Sequence, residues 1–539
     1  MNLKLKEYLK NHSSTAFFIA LLCIVVSIAY YRVQIQIEVG PIWDTFDFLA
    51  NAMFFAGQGY GYTDLIRPPL LPFLTSLIFR LGIISESVIF YIDALFLIIG
   101  TIGLYLFFKM RFEAMESFLG SLLFCTFPLV LLFTGVGLSD IPSLALTIWA
   151  LYTTVLAVKN NPKYFYLSFL LAMLTFLTRY PTGFIIFPIF FYLIANHSKI
   201  SLKHMIGGML ISFLPGLTVI LFSYGQFGDP FYPINSFYTA TQTTWWSANF
   251  TYYHPDPLYF LKNMLSYIGV GGVTIVSFMA ISILFYLIIR YNLLKSKLKA
   301  ILIKFNNLPK LNFLLIGIVF ISFVTTFTQI HYLGSEVLFL ILSLLIYNIL
   351  SKNKIEHLDY DFLFISWFMA FFIFHSVYAI KDDRYFITMA PALSYFLLIC
   401  FNGSKRLWGL QFKYKNFLSH TLTITVIVMI LVSGLNYINE IPDTQSETTY
   451  RVGKIKETTQ WLKDYDPQYH NKIIYSDQWP YFSWYLKMNV LQIPLNTQNF
   501  HENQSNIETA DYFLLKEELN ITNFHPIKDF GTIIIYQRQ

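Results

Sequence analysis

Long apolar blocks separated by short polar segments run through most of the chain. Mostly apolar runs of about 14–24 residues lie near 15–31, 87–108, 118–134, 141–158, 164–178, 182–195, 204–224, 266–289, 311–330, 335–350, 362–379, 385–401 and 417–436. A helix needs about 20 such residues to cross a bilayer. The pattern therefore predicts a polytopic α-helical membrane protein with thirteen spanning helices. Beyond residue 440 the pattern changes. Period-2 alternation in "NKIIYSDQ" and "GTIIIYQRQ" predicts strands, and "TTQWLKDY" predicts a helix. Two domains are expected: a transmembrane domain over 1–439, with outer loops 32–86 and 225–265, and a small α/β domain over 440–539.

Composition agrees with the pattern. The 539 residues are 55% hydrophobic and 13% charged, about half the charge of a soluble protein. The basic residues orient the spans. With the N-terminus in the cytoplasm, the inner segments hold 21 Lys and Arg residues and the outer loops hold seven: Arg32, Arg67, Arg80, Arg179, Lys262, Lys381 and Arg384. That bias follows the positive-inside rule. It places the tail outside and reads the basic run 290–310 as a topology signal, so no nucleic-acid partner is expected despite the net charge of +6. The basic stretch 1–12 ahead of the first apolar run reads as an uncleaved anchor, since no small-residue cleavage site follows. Cys23, Cys125 and Cys400 lie in apolar runs and offer neither a disulfide framework nor a CxxC metal site.

Acidic residues show the opposite distribution, with twelve in the expected outer segments before the tail and six inside. Carboxylates contribute little to topology; a solvated loop face accounts for part of the excess, and a reaction centre at the outer face would account for more. Asp44 and Asp47, in "PIWDTFDFLANAMFF", lie i, i+3 and share one face of a short helix. Like charges that close raise one pKa, and a carboxylate in aromatic surroundings suits a general base. Asp64 and Arg67 follow in "DLIRPPLLPFL", Asp140 stands in "GLSDIPSLAL", Arg179 in "LTRYPTGF", and Asp383, Arg384 and Tyr385 in "KDDRYFITMAPAL". Three arginines at membrane-boundary positions beside proline or a carboxylate are costly unless they are paired or functional. Arginine presents a planar, permanently charged fork that matches phosphate. Trp245 and Trp246, in the aromatic loop 225–265, read either as part of an interfacial aromatic belt or as faces for sugar stacking. A divalent metal held by Asp44, Asp47 and Asp140 is weakly supported, and no cofactor is required. Lone His254, His331 and His375 read as bystanders.

The ordered set resembles the GT-C glycosyltransferases, and most closely the family 39 type that includes protein O-mannosyltransferases and the aminoarabinose transferases of lipid A. That set is the acidic motif in the first loop, Arg-Pro-Pro, Ser-Asp-x-Pro, Thr-Arg-Tyr-Pro and a late Arg-Tyr-Phe. The resemblance covers about residues 15–401. It implies a GT-C fold in the plasma membrane and an enzyme that moves a sugar from a polyprenyl-phosphate donor to an acceptor hydroxyl at the extracytoplasmic face. The acceptor is a protein, a glycan or a lipid. It further implies Asp44 as base, Asp140 as the second-loop carboxylate, and Arg67, Arg179 and Arg384 at the donor phosphate. Family members often carry adjacent Asp-Glu in the first loop. Here Thr45 follows Asp44, which leaves Asp44 and Asp47 competing for the role of base. Asp64, Asp383 and Tyr385, with Trp245 and Trp246, are candidates to touch the sugar or the acceptor. The rival readings are a transporter, which usually carries repeats and midplane polar sites, and a surface-polysaccharide polymerase or ligase that uses a lipid-linked glycan.

Overall fold

A computed structural model describes residues 3–242, 256–306, 310–353, 355–378, 380–409, 415–493, 509–516, 518, 521 and 523–539. Trp245, Trp246 and His254 lie outside the described residues.

Among the described residues, nine helices are long and apolar enough to cross a membrane: Ser14–Val39, Glu86–Phe108, Asp140–Lys159, Leu202–Phe227, Tyr259–Leu284, Tyr332–Ser351, Leu358–Val377, Asp383–Arg406 and Ser419–Thr444. Each coincides with an expected span. The other four expected spans fall on shorter apolar helices, and proline explains two of them. The run 118–134 divides into Ala114–Cys125 and Pro128–Phe133, because Pro128 cannot donate the i→i−4 bond that would continue the first helix. The run 182–195 enters through a tight 3₁₀ turn, Tyr180–Ile185, that contains Pro181. Helices Tyr164–Thr178 and Lys310–Thr326 cover the remaining two. Leu210, Leu214 and Leu221 of the Leu202–Phe227 helix stand exposed. That arrangement is costly in water and favourable in lipid.

The chain divides into two compact units. One comprises 1–28, 96–133 and 140–438; the other comprises 29–95, 134–139 and 439–539. In the first unit, small residues let helices meet closely, as is usual in membranes. A Cβ on Gly208 would lie 2.4 Å from the Phe165 carbonyl oxygen. Aromatic stacking fills other contacts, as between Phe364 and Tyr395, whose centroids are 3.9 Å apart.

The second unit joins the tail to the first outer loop. After the helix Ser446–Tyr465 come β1 (Ile474–Ser476), the aromatic helix Trp479–Leu486, β2 (Leu491–Gln492), β3 (Tyr512–Leu515), β4 (Phe524–Asp529) and β5 (Ile534–Arg538). The sheet order is β2-β1-β3-β5-β4. β1 runs parallel to β2 and β3, and β5 runs antiparallel to β3 and β4. Every residue of β3 is buried, as expected of a strand covered on both faces. The edge strand β4 carries Pro526, Lys528 and a register shift between them, three features that discourage further pairing. Both strands and the helix expected in the tail are present. Trp43 packs edge-on against Trp479 at 4.7 Å, and Phe46 meets Tyr481 at 4.4 Å. Gly40, at φ +87°, would place a Cβ 2.8 Å from Val452 Cγ1, so the approach of that helix requires glycine.

Candidate functional site

The acidic helix Trp43–Phe55 begins after Ile42, whose backbone is extended, and carries Asp44 in its first turn. Asp47 lies one turn on, on the same face. The chain returns through the loop 56–69, where Pro68 and Pro69 end the loop and open the helix Leu70–Phe79. This return delivers Arg67 between the carboxylates. Its Nη2 lies 3.1 Å from Asp44 Oδ1 and 2.5 Å from Asp47 Oδ2, and its Nε lies 2.8 Å from Asp64 Oδ2. Asn51 fixes the loop by donating from Nδ2 to the Asp64 carbonyl at 2.7 Å and accepting from the Asp64 amide at 2.8 Å. Tyr62 donates to Asp47 Oδ1 at 2.5 Å. Both oxygens of Asp47 are thus engaged, and its side chain is 2% exposed, whereas that of Asp44 is 23% exposed.

The electrostatics follow from this crowding. Burial pushes the Asp47 carboxyl up to about 7, against the pull of Arg67; Asp64 and Asp44 raise it further, and the bond from Tyr62 opposes them. Burial alone would weaken the charge of Arg67, but Asp44, Asp47 and Asp64 outweigh it and hold its pKa above the ordinary arginine value. Tyr62 is raised by burial and by the negative charge of Asp47. The cluster is therefore acidic, with one cation among three carboxylates.

A second cluster lies in the other unit. Asp140 is the first residue of the helix Asp140–Lys159. Arg179, in extended conformation, ends the helix Tyr164–Thr178. Both are buried, and Arg179 Nη1 pairs with Asp140 Oδ1. The guanidinium of Arg179 also lies 5.4 Å from the Tyr385 ring centroid, and that of Arg384 lies 5.7 Å from the same ring. His375 stacks on Tyr385 at 4.8 Å and 13°. Arg384 Nε meets Asp382 Oδ2 at 3.2 Å, and Asp382 accepts from the Arg384 amide at 3.0 Å. Lys381 donates to the carbonyls of His375, Ser376 and Tyr378, and so caps the C-terminal end of the helix Leu358–Val377. Burial lowers its pKa to about 8, with Asp256 opposing. Asp383 accepts from the hydroxyls of Tyr259 and Tyr267.

The structure thus gathers Asp44, Asp47, Asp64 and Arg67 in one unit, and Asp140, Arg179, Arg384 and Tyr385 in the other. Asp383 turns to its two tyrosines. Sequence reasoning missed Asn51 and Tyr62, which carry no motif, and Asp93, which sits inside an apolar helix. Asp93 Oδ2 accepts from the Gly137 amide at 2.9 Å and so ties down the loop 134–139 that leads into Asp140. Among the described residues, no group of three or more His, Cys, Asp or Glu side chains is placed to hold a metal ion; Asp44, Asp47 and Asp64 close around Arg67 instead.

Among the described residues, nine helices long and apolar enough to cross a bilayer, together with a small mixed sheet, mark an integral membrane protein. Residues 66–222 match the family model of dolichyl-phosphate-mannose-protein mannosyltransferases. The fold is similar to that of ArnT from Cupriavidus metallidurans in the apo state, with TM-score 0.58 and 10% identity over 97% of this chain and 98% of that one. The same ArnT bound to undecaprenyl phosphate aligns with TM-score 0.56 and 9% identity over the same shares. No curated protein matches the sequence. The fold expected from the sequence is the fold found, and the match over residues 66–222 is a likeness to the mannosyltransferase family.

Proposed function

We propose that the protein is a membrane glycosyltransferase that moves a sugar from a polyprenyl-phosphate donor to an acceptor hydroxyl at the extracytoplasmic face. One observation carries the reading. Asp44 is a partly exposed carboxylate whose position is set by Arg67, and Arg67 is itself fixed by the buried Asp47 and by Asp64. A base held this way needs little reorganisation when it accepts a proton. The acceptor oxygen attacks the anomeric carbon from the face opposite the phosphate. Its proton passes to Asp44, the bond from carbon to the phosphate oxygen breaks, and its electron pair stays on the phosphate. The configuration inverts. Charge grows on the leaving phosphate, and Arg179 and Arg384, gathered around Tyr385, supply positive charge without a metal. We assign Arg67 to the carboxylates rather than to the phosphate, because three ion pairs already engage its fork. Asp140 orients Arg179. Asp383 holds the hydroxyls of Tyr259 and Tyr267, and Asp47 orients Asp44 through Arg67.

The mannosyltransferase match over 66–222 and the ArnT-like fold support a lipid-linked donor. They also weigh against the transporter reading. A polymerase or ligase of surface polysaccharide would share the donor chemistry and differ in the size of the group transferred.

The test is single-turnover transfer from labelled polyprenyl-phosphate sugars, one sugar at a time, with donor binding measured in parallel. Asp44→Asn is expected to cost about 10²–10⁴ in rate with donor binding retained. Asp47→Asn should cost less. Full activity in both variants would remove the basis of the mechanism, and a dead Asp47→Asn beside an active Asp44→Asn would exchange the two roles.

A further inference from the structure

The C-terminal portion of the second unit holds a cavity of about 290 Å³ that takes no part in the chemistry above. Ligand pockets run from roughly 300 Å³ upward, so this one suits one or two sugar residues. Its wall is cationic on balance, with Arg451 and Lys516 against Glu447, and Tyr450 offers a ring face. Gln478 is 5% exposed and lines the cavity, and its amide oxygen makes no hydrogen bond among the described residues. The Nε of Arg451 and the hydroxyl of Thr532, also in the wall, are likewise buried without hydrogen-bond partners among those residues. Buried polar atoms left unpaired are expensive, and a native structure that retains three in one cavity calls for an explanation.

The unpaired set includes an acceptor, a charged donor and a hydroxyl that can serve as either. Sugar hydroxyls need that mixture, and the two cations add a preference for an acidic group. The cavity and the proposed base belong to the same unit. Gln478 immediately precedes the aromatic helix Trp479–Leu486, whose Trp479 and Tyr481 rest on Trp43 and Phe46 of the acidic helix.

We propose that this cavity binds an anionic saccharide, a uronate or a phosphorylated sugar, as the recognition element of the acceptor. The acceptor role rests on the glycosyltransferase reading; the binding itself does not.

The test uses the full-length protein in lipid nanodiscs and titrates it with glucuronate, glucose 6-phosphate, glucose and inorganic phosphate. The charged sugars should bind at least about tenfold more tightly than glucose, as expected where a charged hydrogen bond is made. Arg451→Gln should abolish that preference, and Gln478→Leu should weaken all three sugars. Lys516→Gln, at an exposed position that folding tolerates, should reduce the preference for charge. The ranking of glucuronate against glucose 6-phosphate identifies the acidic group. No binding by any sugar, binding unchanged in Arg451→Gln and Lys516→Gln, or inorganic phosphate binding as well as glucose 6-phosphate overturns the saccharide site. If transfer is established, an acceptor carrying the acidic sugar should show a raised KM and an unchanged kcat in Lys516→Gln. An unchanged KM there refutes the acceptor role while leaving the catalytic reading intact.

Discussion

Asp47→Asn should change how the stability of the protein responds to pH. The folded protein holds this carboxyl at about 7, above the ordinary value of 3.8, chiefly because the side chain is buried. A proton is therefore bound more tightly in the folded state than in the unfolded one. The associated stability is complete below pH 3.8 and is lost as pH rises through about 7. At about 1.4 kcal/mol per pH unit, the loss across that window is about 4 kcal/mol. More than half of it falls between pH 5 and pH 8. The attraction of Arg67 and the bond from Tyr62 are already contained in the raised value, so they add nothing further. Asparagine cannot titrate. The stability of Asp47→Asn relative to the parent should therefore grow by about 2–3 kcal/mol between pH 5 and pH 8. The offset between the two curves depends on how the amide sits against Arg67, but the slope does not. The measurement is SDS-driven unfolding in mixed lipid–detergent micelles across that range, with Asp44→Asn as a control on the more exposed neighbour. Parallel curves for the parent and Asp47→Asn would refute the argument, since they would mean that Asp47 ionises as readily inside the fold as outside it.

Arg384→Ala should lower transfer by about 10²–10³ in a folded protein, and Arg384→Lys should recover only part, because the planar fork is lost; full activity in the alanine variant would remove Arg384 from the donor phosphate. A reporter fused after residue 440 should sit outside the cytoplasm and one inserted at residue 300 inside, and two reporters on the same side would overturn the orientation read from the basic residues. Gly40→Ala should destabilise the protein by about 1–2 kcal/mol, because φ is +87° and the new Cβ meets Val452; an unfolding midpoint equal to the parent's would show that the helix carrying Val452 shifts freely.

What the sequence revealed depended on the range of the physics involved. Spans are local: a run such as 204–224 needs no partner to be read, and it became the helix Leu202–Phe227. The shared face of Asp44 and Asp47 is equally local, since helical geometry alone sets it. The strands in "NKIIYSDQ" and "GTIIIYQRQ" were legible as alternation, but their places in the order β2-β1-β3-β5-β4 were not. Contacts between distant segments left no trace. Arg179 and Arg384 stand 205 positions apart in sequence, and nothing in either motif indicates that both approach the ring of Tyr385. His375 read as a lone histidine because the ring it stacks on lies across a turn. Asn51 escaped notice for a different reason: its work is to satisfy one amide and one carbonyl of Asp64, and any asparagine can do that. Nor could the paired prolines Pro68 and Pro69 show that Arg67 just before them would face three carboxylates.

The arrangement around Arg67 also explains why so apolar a chain tolerates this cluster. A buried ion-pair cluster contributes little net stability, and replacing the whole cluster with apolar groups of similar volume is often neutral or better. Its persistence therefore needs another cause. The geometry supplies one if Asp44 is the group that acts. Asp44 is a short side chain near the start of a helix, where it would sample several rotamers in water. Arg67 reaches it from one side, and Arg67 is itself held by Asp47 and Asp64, while Tyr62 fixes Asp47 and Asn51 fixes the backbone of Asp64. Each bond removes freedom from the next group outward, and the last group in the series, Asp44, is partly exposed, as Arg67 and Asp64 are, while Asp47 is buried. The energetic cost falls on Asp47, in the form of its raised pKa. The benefit falls on Asp44, as a carboxylate already placed where an acceptor hydroxyl can reach it. A site built this way gives up stability at the buried acid to gain order at the exposed one, as is common where strongly shifted titratable groups cluster.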